Sequence, residues 1–217
     1  GLCFASDAME IMLLTFLSLV LMDEWKLTPN QASTIASMVF AGGLVGTLVL
    51  GRCSDVYGRR PVCVATSCII ALFALATSLL PNNNNNNQGY ILLLVCRFFV
   101  GFGIGGITIP YNTLAEFMPS SSRGSKLGWT SYFWTVANVG VALVAYATLS
   151  SSSSSNDKHK NWRAFVAWCA LPSVVAAILC VYIVPESPQW LFTVKGDAKG
   201  ALSVLRQAAA GKQNNNQ

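Results

Sequence analysis

Charged residues are scarce in this sequence, at 11% of 217 residues, where a soluble domain carries about 25%. A soluble globule of this size would lack the surface it needs, so that class is excluded. The sequence has one histidine, His159, in a polar stretch between apolar blocks. No Ser-His-Asp arrangement or metal-ligand spacing accompanies it, and an enzyme is not expected. The seven cysteines, at 3, 53, 63, 68, 96, 169 and 180, lack the paired spacing of a disulfide framework or a zinc site. All but Cys53 lie in apolar blocks and read as small buried apolar residues, so no metal and no cofactor is expected. There is no Asn-x-Ser/Thr sequon to mark an outer face. The net charge of +5 does not signal nucleic acid, because the basic residues are neither in one patch nor interleaved with aromatics. The first segment has no basic n-region and is interrupted by Asp7 and Glu10, which argues against a signal peptide. An opening at Gly1 inside an apolar segment reads as a fragment or a processed product.

What the sequence has is long apolar blocks, with 53% hydrophobic residues. A bilayer core of roughly 30 Å takes about 20 helical residues. Six segments fit, at about residues 2–22, 32–50, 62–80, 90–114, 127–149 and 165–184. Backbone groups in lipid must be satisfied within the segment, so these are helices. The first block is long enough only if Asp7 and Glu10 lie inside the membrane. The tracts NNNNNN and SSSSSNDKHK, which join the third segment to the fourth and the fifth to the sixth, read as flexible solvent loops. Residues 1–184 form the six-span unit. Residues 185–217 begin a linker on the cytoplasmic side, with a short helix from about 197 to 210.

Alternate connections share a side. One side holds Arg52, Arg59, Arg60, Arg123, Lys126, Lys195, Lys199, Arg206 and Lys212, and the other Lys26, Lys158, Lys160 and Arg163. The richer set is expected in the cytoplasm. The richest cluster is GRCSDVYGRRP, residues 51–61, read as a very short turn that tightens at Gly58 and holds Gly51, Arg52, Asp55, Arg59 and Arg60. Topogenic charge explains the arginines but not an acid among them.

This Gly-x-x-x-Asp-x-x-Gly-Arg-Arg pattern between the second and third spans resembles the signature loop of the major facilitator superfamily, with Val56 where a basic residue is common. CRFFVGFGIGG, residues 96–106, resembles that family's fourth-helix arginine and glycines. PYNTLAEFMPSSSRG, residues 110–124, resembles a Glu-Pro-Arg-Gly stretch of sugar porters. PESPQWLFTVKGDAKGAL, residues 185–202, resembles the motif after helix six, but Gln189 replaces its arginine and Asp197 a common basic residue. Any ion pair of that arginine is therefore lost here. FASDAMEIMLL near the start looks most like the synaptic vesicle 2-related branch, near the sugar and organic-ion porters.

The resemblance implies an all-α six-helix bundle of two inverted three-helix repeats, half of a twelve-helix transporter. It implies alternating access for a small polar or ionic organic solute, with the proton as coupling ion. The partners are then that solute, the lipid bilayer and a C-terminal six-helix half. The location is a plasma membrane or vesicle membrane. A uniporter, and a non-transporting vesicle or receptor protein on the same scaffold, remain alternatives.

Asp7 and Glu10, three residues apart, share one face of the first helix, and charges inside a membrane face a cavity or a partner. Arg97 is the obvious partner. Such a pair either only holds helices together or, as the resemblance implies, releases a protonatable acid. Asp55, Arg59, Arg60, Glu116, Arg123 and Glu186 map to the basic face. They read either as solvated topogenic charge or as a network that latches the outward-facing state. Gly42, Gly43 and Gly46 in the second span, and Gly101, Gly103, Gly105 and Gly106 in the fourth, read as packing contacts. Tyr111, Asn112, Trp134 and Asn138 are candidates for a solute path, though aromatics in spans commonly just pack.

Overall fold

In the computed structural model, residues 1–80, 88–118, 123–149, 155–204 and 206 are described. The asparagine tract and most of the serine tract lie outside them, as does the linker helix beyond residue 206. The elements are α1 (Leu2–Glu24), α2 (Pro29–Tyr57), α3 (Arg59–Ser78), α4 (Gln88–Ile104), α5 (Thr108–Glu116), α6 (Arg123–Leu149), α7 (Ser155–Ile183) and α8 (Pro188–Thr193). Among the described residues six stretches are long and apolar enough to cross a membrane: α1, α2, α3, α4 with α5, α6, and the Trp162–Tyr182 part of α7. The described residues contain no strand.

Span ends differ from the sequence expectation for local reasons. Thr28 caps α2 in a capping box: its amide donates to Gln31 Oε1 at 2.9 Å, and Gln31 N donates to Thr28 Oγ1. The other end runs to Tyr57, because an isolated glycine such as Gly51 is tolerated inside a helix, and the chain turns only at Gly58, where φ is +107°. The expected turn over residues 51–61 therefore shrinks to Gly58 alone, and most of it is helix. α7 begins at Ser155, inside the stretch expected to be a loop, where Ser-Asn-Asp suits a helix start. The fourth span breaks over residues 105–107. Pro110 has no amide to reach back to the Gly106 carbonyl, which instead accepts from Ile109 N at 3.0 Å.

The bundle is a double repeat. The second span packs most extensively on the fourth, and the first correspondingly on the fifth. The first span packs on the sixth as the fourth does on the third, and the third and sixth pack on each other. Exchanging spans one, two and three for four, five and six preserves this pattern. Equivalent spans are three crossings apart and so antiparallel, which makes the repeats inverted. The main apolar cluster gathers around α1, with Leu13, Leu17 and Leu21 against Leu93, Val141 and Phe165. Large apolar side chains such as Phe40, Leu44, Trp129, Val136 and Tyr146 stay exposed on α2 and α6, as faces toward lipid or another helix bundle do.

α2 and α4 meet backbone to backbone. A Cβ added at Gly42 would strike the Phe98 carbonyl, at Gly46 the Phe102 carbonyl and at Gly101 the Val39 carbonyl. Both helices thus present a small-xxx-small stripe, Gly42/Gly46 against Gly101/Gly105. Thr47 Oγ1 ties the contact by donating to Gly43 O at 2.9 Å and Gly105 O at 3.1 Å. Gly101→Ala is expected to destabilise the purified protein by about 1–3 kcal/mol through overpacking, read as a lowered Tm. Gly140→Ala, with nothing within 4 Å of the added atom, should leave Tm unchanged.

Candidate functional site

Every residue at the i, i+3, i+4, i+7 positions on one side of α1 is polar: Cys3, Ser6, Asp7 and Glu10. This stripe faces inward, with Ser6 3%, Asp7 4% and Glu10 1% exposed. It forms a polar file from the basic end of the bundle toward its middle. At the inner end Arg97 Nη1 donates to Glu10 Oε2 at 3.0 Å, with both side chains fully shielded. The expected contact between the first and fourth spans is therefore made, and Glu10 makes it. Asp7 has no hydrogen-bond or ion-pair partner among the described residues. It lines a narrow cavity with Ser6, Thr66, Ser67 and Gly106 that has about 10 Å³ of room for the centre of a water molecule. Glu10 Oε1 and Arg97 Nε and Nη2 have no partner among the described residues. A buried pair kept for stability alone is expected to have these valences satisfied.

Further along the file, the Ser6 and Ser173 hydroxyls are 2.7 Å apart. At its outer end the fold brings three thiols together, Cys3 and Cys63 each 3.6 Å from Cys180 at sulfur. Each comes from a different span, so their spacing along the chain carries no sign of the cluster. Cys68, expected in the apolar interior, is exposed.

A second constellation closes the basic end. The α3 amides would be orphaned at the abrupt α2–α3 junction. Glu186 Oε1 takes two of them, from Arg59 N at 2.8 Å and Arg60 N at 3.1 Å, an acid at a helix N-terminus. Gly58 is required twice here. Its φ is +107°, and a Cβ would come within 2.9 Å of the Glu186 carboxylate. Arg59 Nη2 and Glu116 Oε1 pair at 2.9 Å, with only 20% and 12% of the side chains exposed. The Ser187 hydroxyl donates to the other Glu116 oxygen and caps α8 by accepting from Trp190 N at 3.1 Å. Arg60 Nη2 donates to Val181 O near the end of α7 at 3.0 Å.

The structure thus unites Gly58, Arg59, Arg60, Glu116 and Glu186. It does not unite the rest of the expected network. Arg52 and Asp55 are exposed on the last turns of α2, and neither forms an ion pair among the described residues. Asp55 joins only through its carbonyl, which accepts from Trp190 Nε1 at 3.0 Å. Gly51 faces open space, and Arg123 donates to Met118 O at 3.3 Å. Ser187 and Trp190 were missed. The Ser-Pro that opens α8 is a cap signature and marked Ser187, but nothing marked Trp190.

The four solute-path candidates sit in different surroundings. Asn112 lines a cleft of about 610 Å³ at the basic end with Arg59, Glu116, Arg123 and Phe192. Tyr111 lies 5.6 Å from Phe4, ring to ring. Trp134 packs into the apolar cluster around α1, and Asn138 is half-buried.

Residues 12–217 match the family described as "Sugar (and other) transporter". The chain is 31% identical over 209 residues to organic cation/carnitine transporter 7 of Arabidopsis thaliana, covering 96% of this chain and 38% of that protein. It is also 31% identical to the synaptic vesicle 2-related protein of Xenopus laevis, covering 96% of this chain and 35% of that one. The chain therefore spans well under half the length of these relatives. Among solved structures, the proton:xylose symporter XylE, bound to a bromodeoxyglucose, superposes with a TM-score of 0.82 at 20% identity. That match covers 98% of this chain and 50% of XylE, and shows the shared fold.

Arg59 and Glu116 are expected to show a coupling energy of about 1 kcal/mol in a double-mutant cycle of unfolding stability. Arg123 lines the same cleft but pairs elsewhere, so the Arg123–Glu116 cycle should give a value near zero.

Proposed function

The chain belongs to the sugar (and other) transporter family, and from that premise we propose that it forms one half of a proton-coupled transporter for a small polar or ionic organic solute. The observation that carries this reading is the Glu10–Arg97 pair, shielded inside the bundle, with an unpartnered Asp7 one turn away. A guanidinium beside a buried acid favours that acid's charged form. When the arginine withdraws, the acid takes a proton to avoid being buried as a lone anion. Coupling follows if solute binding and arginine withdrawal favour each other. The polar file along α1 supports a route for that proton from the basic end. The relatives' descriptions support the solute class, organic cations for one and xylose for the other.

On this reading the basic end faces the cytoplasm, in a plasma or vesicle membrane, and the six spans rock against a C-terminal six-helix half. The Arg59–Glu116–Glu186 constellation closes the cytoplasmic side in the outward-facing state, by opposite charges that part when the bundle tilts.

The test is uptake by the full-length protein in proteoliposomes with an imposed pH gradient, screening organic cations and sugars. The expected result is accumulation against the solute gradient, abolished by a protonophore and reduced to background by Glu10→Gln or Asp7→Asn. Undiminished pH-dependent uptake in both variants would sink the coupling assignment. Equilibrating uptake that ignores the protonophore would instead identify a uniporter. Absence of flux for every solute, with tight binding of a partner protein, would identify a non-transporting member.

A further inference from the structure

The three thiols at the outer end of the polar file have a chemistry beyond lining a proton route. Cys3 from the first span, Cys63 from the third and Cys180 from the sixth place their sulfur atoms within 4.8 Å of one another. Two of the three separations are 3.6 Å. In a triangle with two sides of 3.6 Å and a third no longer than 4.8 Å, the point equidistant from the corners lies no more than about 2.4 Å from each. A zinc–thiolate bond is about 2.3 Å. The sulfurs are already spaced for one ion at their centre, with no backbone movement required.

The surroundings fit a cation. The adjoining cavity is lined by Cys3, Cys63, Asp7 and the hydroxyl-bearing Ser6, Thr66 and Ser67, and no basic side chain lines it. Its roughly 10 Å³ of room for a water centre matches one water molecule as a fourth ligand. Three protein ligands with one open position is a recurrent zinc geometry. Ser67 Oγ lies 3.8 Å from the Cys180 sulfur, as an outer partner that orients a ligand would. The site is also reachable. Cys3 is partly exposed, and Cys63 is only four residues into α3, about 6 Å from its basic end.

We propose that Cys3, Cys63 and Cys180 form a binding site for a thiophilic divalent d10 cation of the zinc class, clamping the first and third spans to the sixth. Each thiol gives up its proton to the solvent as its sulfur binds the ion. The thiolates select against Mg²⁺ and Ca²⁺, which prefer oxygen. The clamp joins the two inverted repeats one turn beneath the Arg59–Glu116–Glu186 constellation. It stands whether or not the chain transports anything, because its test reads metal occupancy rather than flux.

The full-length protein is purified in detergent under reductant, stripped with chelator and titrated with Cd²⁺. Sulfur-to-cadmium charge-transfer absorption reports thiolate ligation. The expected result is one Cd²⁺ per chain, displaced by Zn²⁺ and unaffected by excess Mg²⁺. Cys3→Ser, Cys63→Ser and Cys180→Ser should each weaken binding at least about tenfold, while Cys68→Ser, exposed on α3, changes nothing. A second measurement needs no variant: Cd²⁺ should protect Cys3, Cys63 and Cys180, and not Cys53 or Cys68, from alkylation read by mass spectrometry. No charge-transfer band in the wild-type protein, or protection confined to Cys53 and Cys68, would overturn the proposal.

Discussion

A carboxylate and a guanidinium set into the interior of an apolar bundle can be tolerated in few ways. Either alone would cost far more than the several kcal/mol left to most folds, so each fixes where the other must be. Glu10 and Arg97 meet this constraint at 3.0 Å with no exposure. The pair comes from the first and fourth spans, the leading spans of the two inverted repeats. Its geometry therefore sets how one repeat sits on the other, and the apolar cluster of Leu13, Leu93, Val141 and Phe165 closes around it. The arrangement also carries unmade hydrogen bonds on Glu10 and Arg97. Replacing such a pair by matched apolar residues is often neutral or stabilising. Its presence is better explained by what charge can do there than by the stability it adds.

The other polar contacts repeat this logic. Arg59 of the first repeat meets Glu116 of the second, and Glu186, just beyond the sixth span, takes the amides that open α3. Ser6 meets Ser173, and the Cys3 and Cys63 sulfurs meet Cys180. Each contact crosses between repeats. The main apolar cluster crosses as well, with Leu13, Leu17 and Leu21 of the first repeat against Leu93, Val141 and Phe165 of the second. In lipid, apolar surface gives helices little reason to prefer one neighbour over another. Register between the repeats then falls to backbone contact through glycine, as at Gly42 and Gly101, and to groups that must find a partner.

These physical roles explain what was legible in the sequence. Spans were readable because length and hydropathy alone define them. Their ends were not, because a charged heptad such as GRCSDVY is a sound helix continuation until Gly58 stops it, and charge marks a membrane boundary rather than a helix boundary. Glu10 and Arg97 were readable as residue types, since a charge in an apolar block demands a partner. Which acid made the contact was not, because Asp7 and Glu10 share a face and differ by less than one turn. Asp55 shows the opposite failure. Its place in a recognisable motif suggested an ion pair, yet its helix turns the side chain outward and only its carbonyl takes part. The thiol cluster was invisible because 60 and 117 residues separate its members, and only the packing of the first and third spans on the sixth closes those distances.

The polar file on α1 imposes a further demand on the fold. Four inward positions that could have carried leucine carry Cys3, Ser6, Asp7 and Glu10. That gives up roughly 1.5–3 kcal/mol of apolar burial at each, by the usual transfer scale. It is an upper figure in lipid, where apolar burial between helices counts for less. The loss is offset only if the remaining contacts are unusually close. The structure has that closeness where α2 and α4 touch through their backbones, and again where Gly103 and Gly106 let the fourth span approach Ile70 and Thr66 of the third. Glycine gives this approach because it brings no side chain between the two backbones. The glycine-rich fourth span and the polar first span are therefore two parts of one arrangement. Close packing at spans two, three and four makes it possible for span one to carry charge through the middle of the bundle.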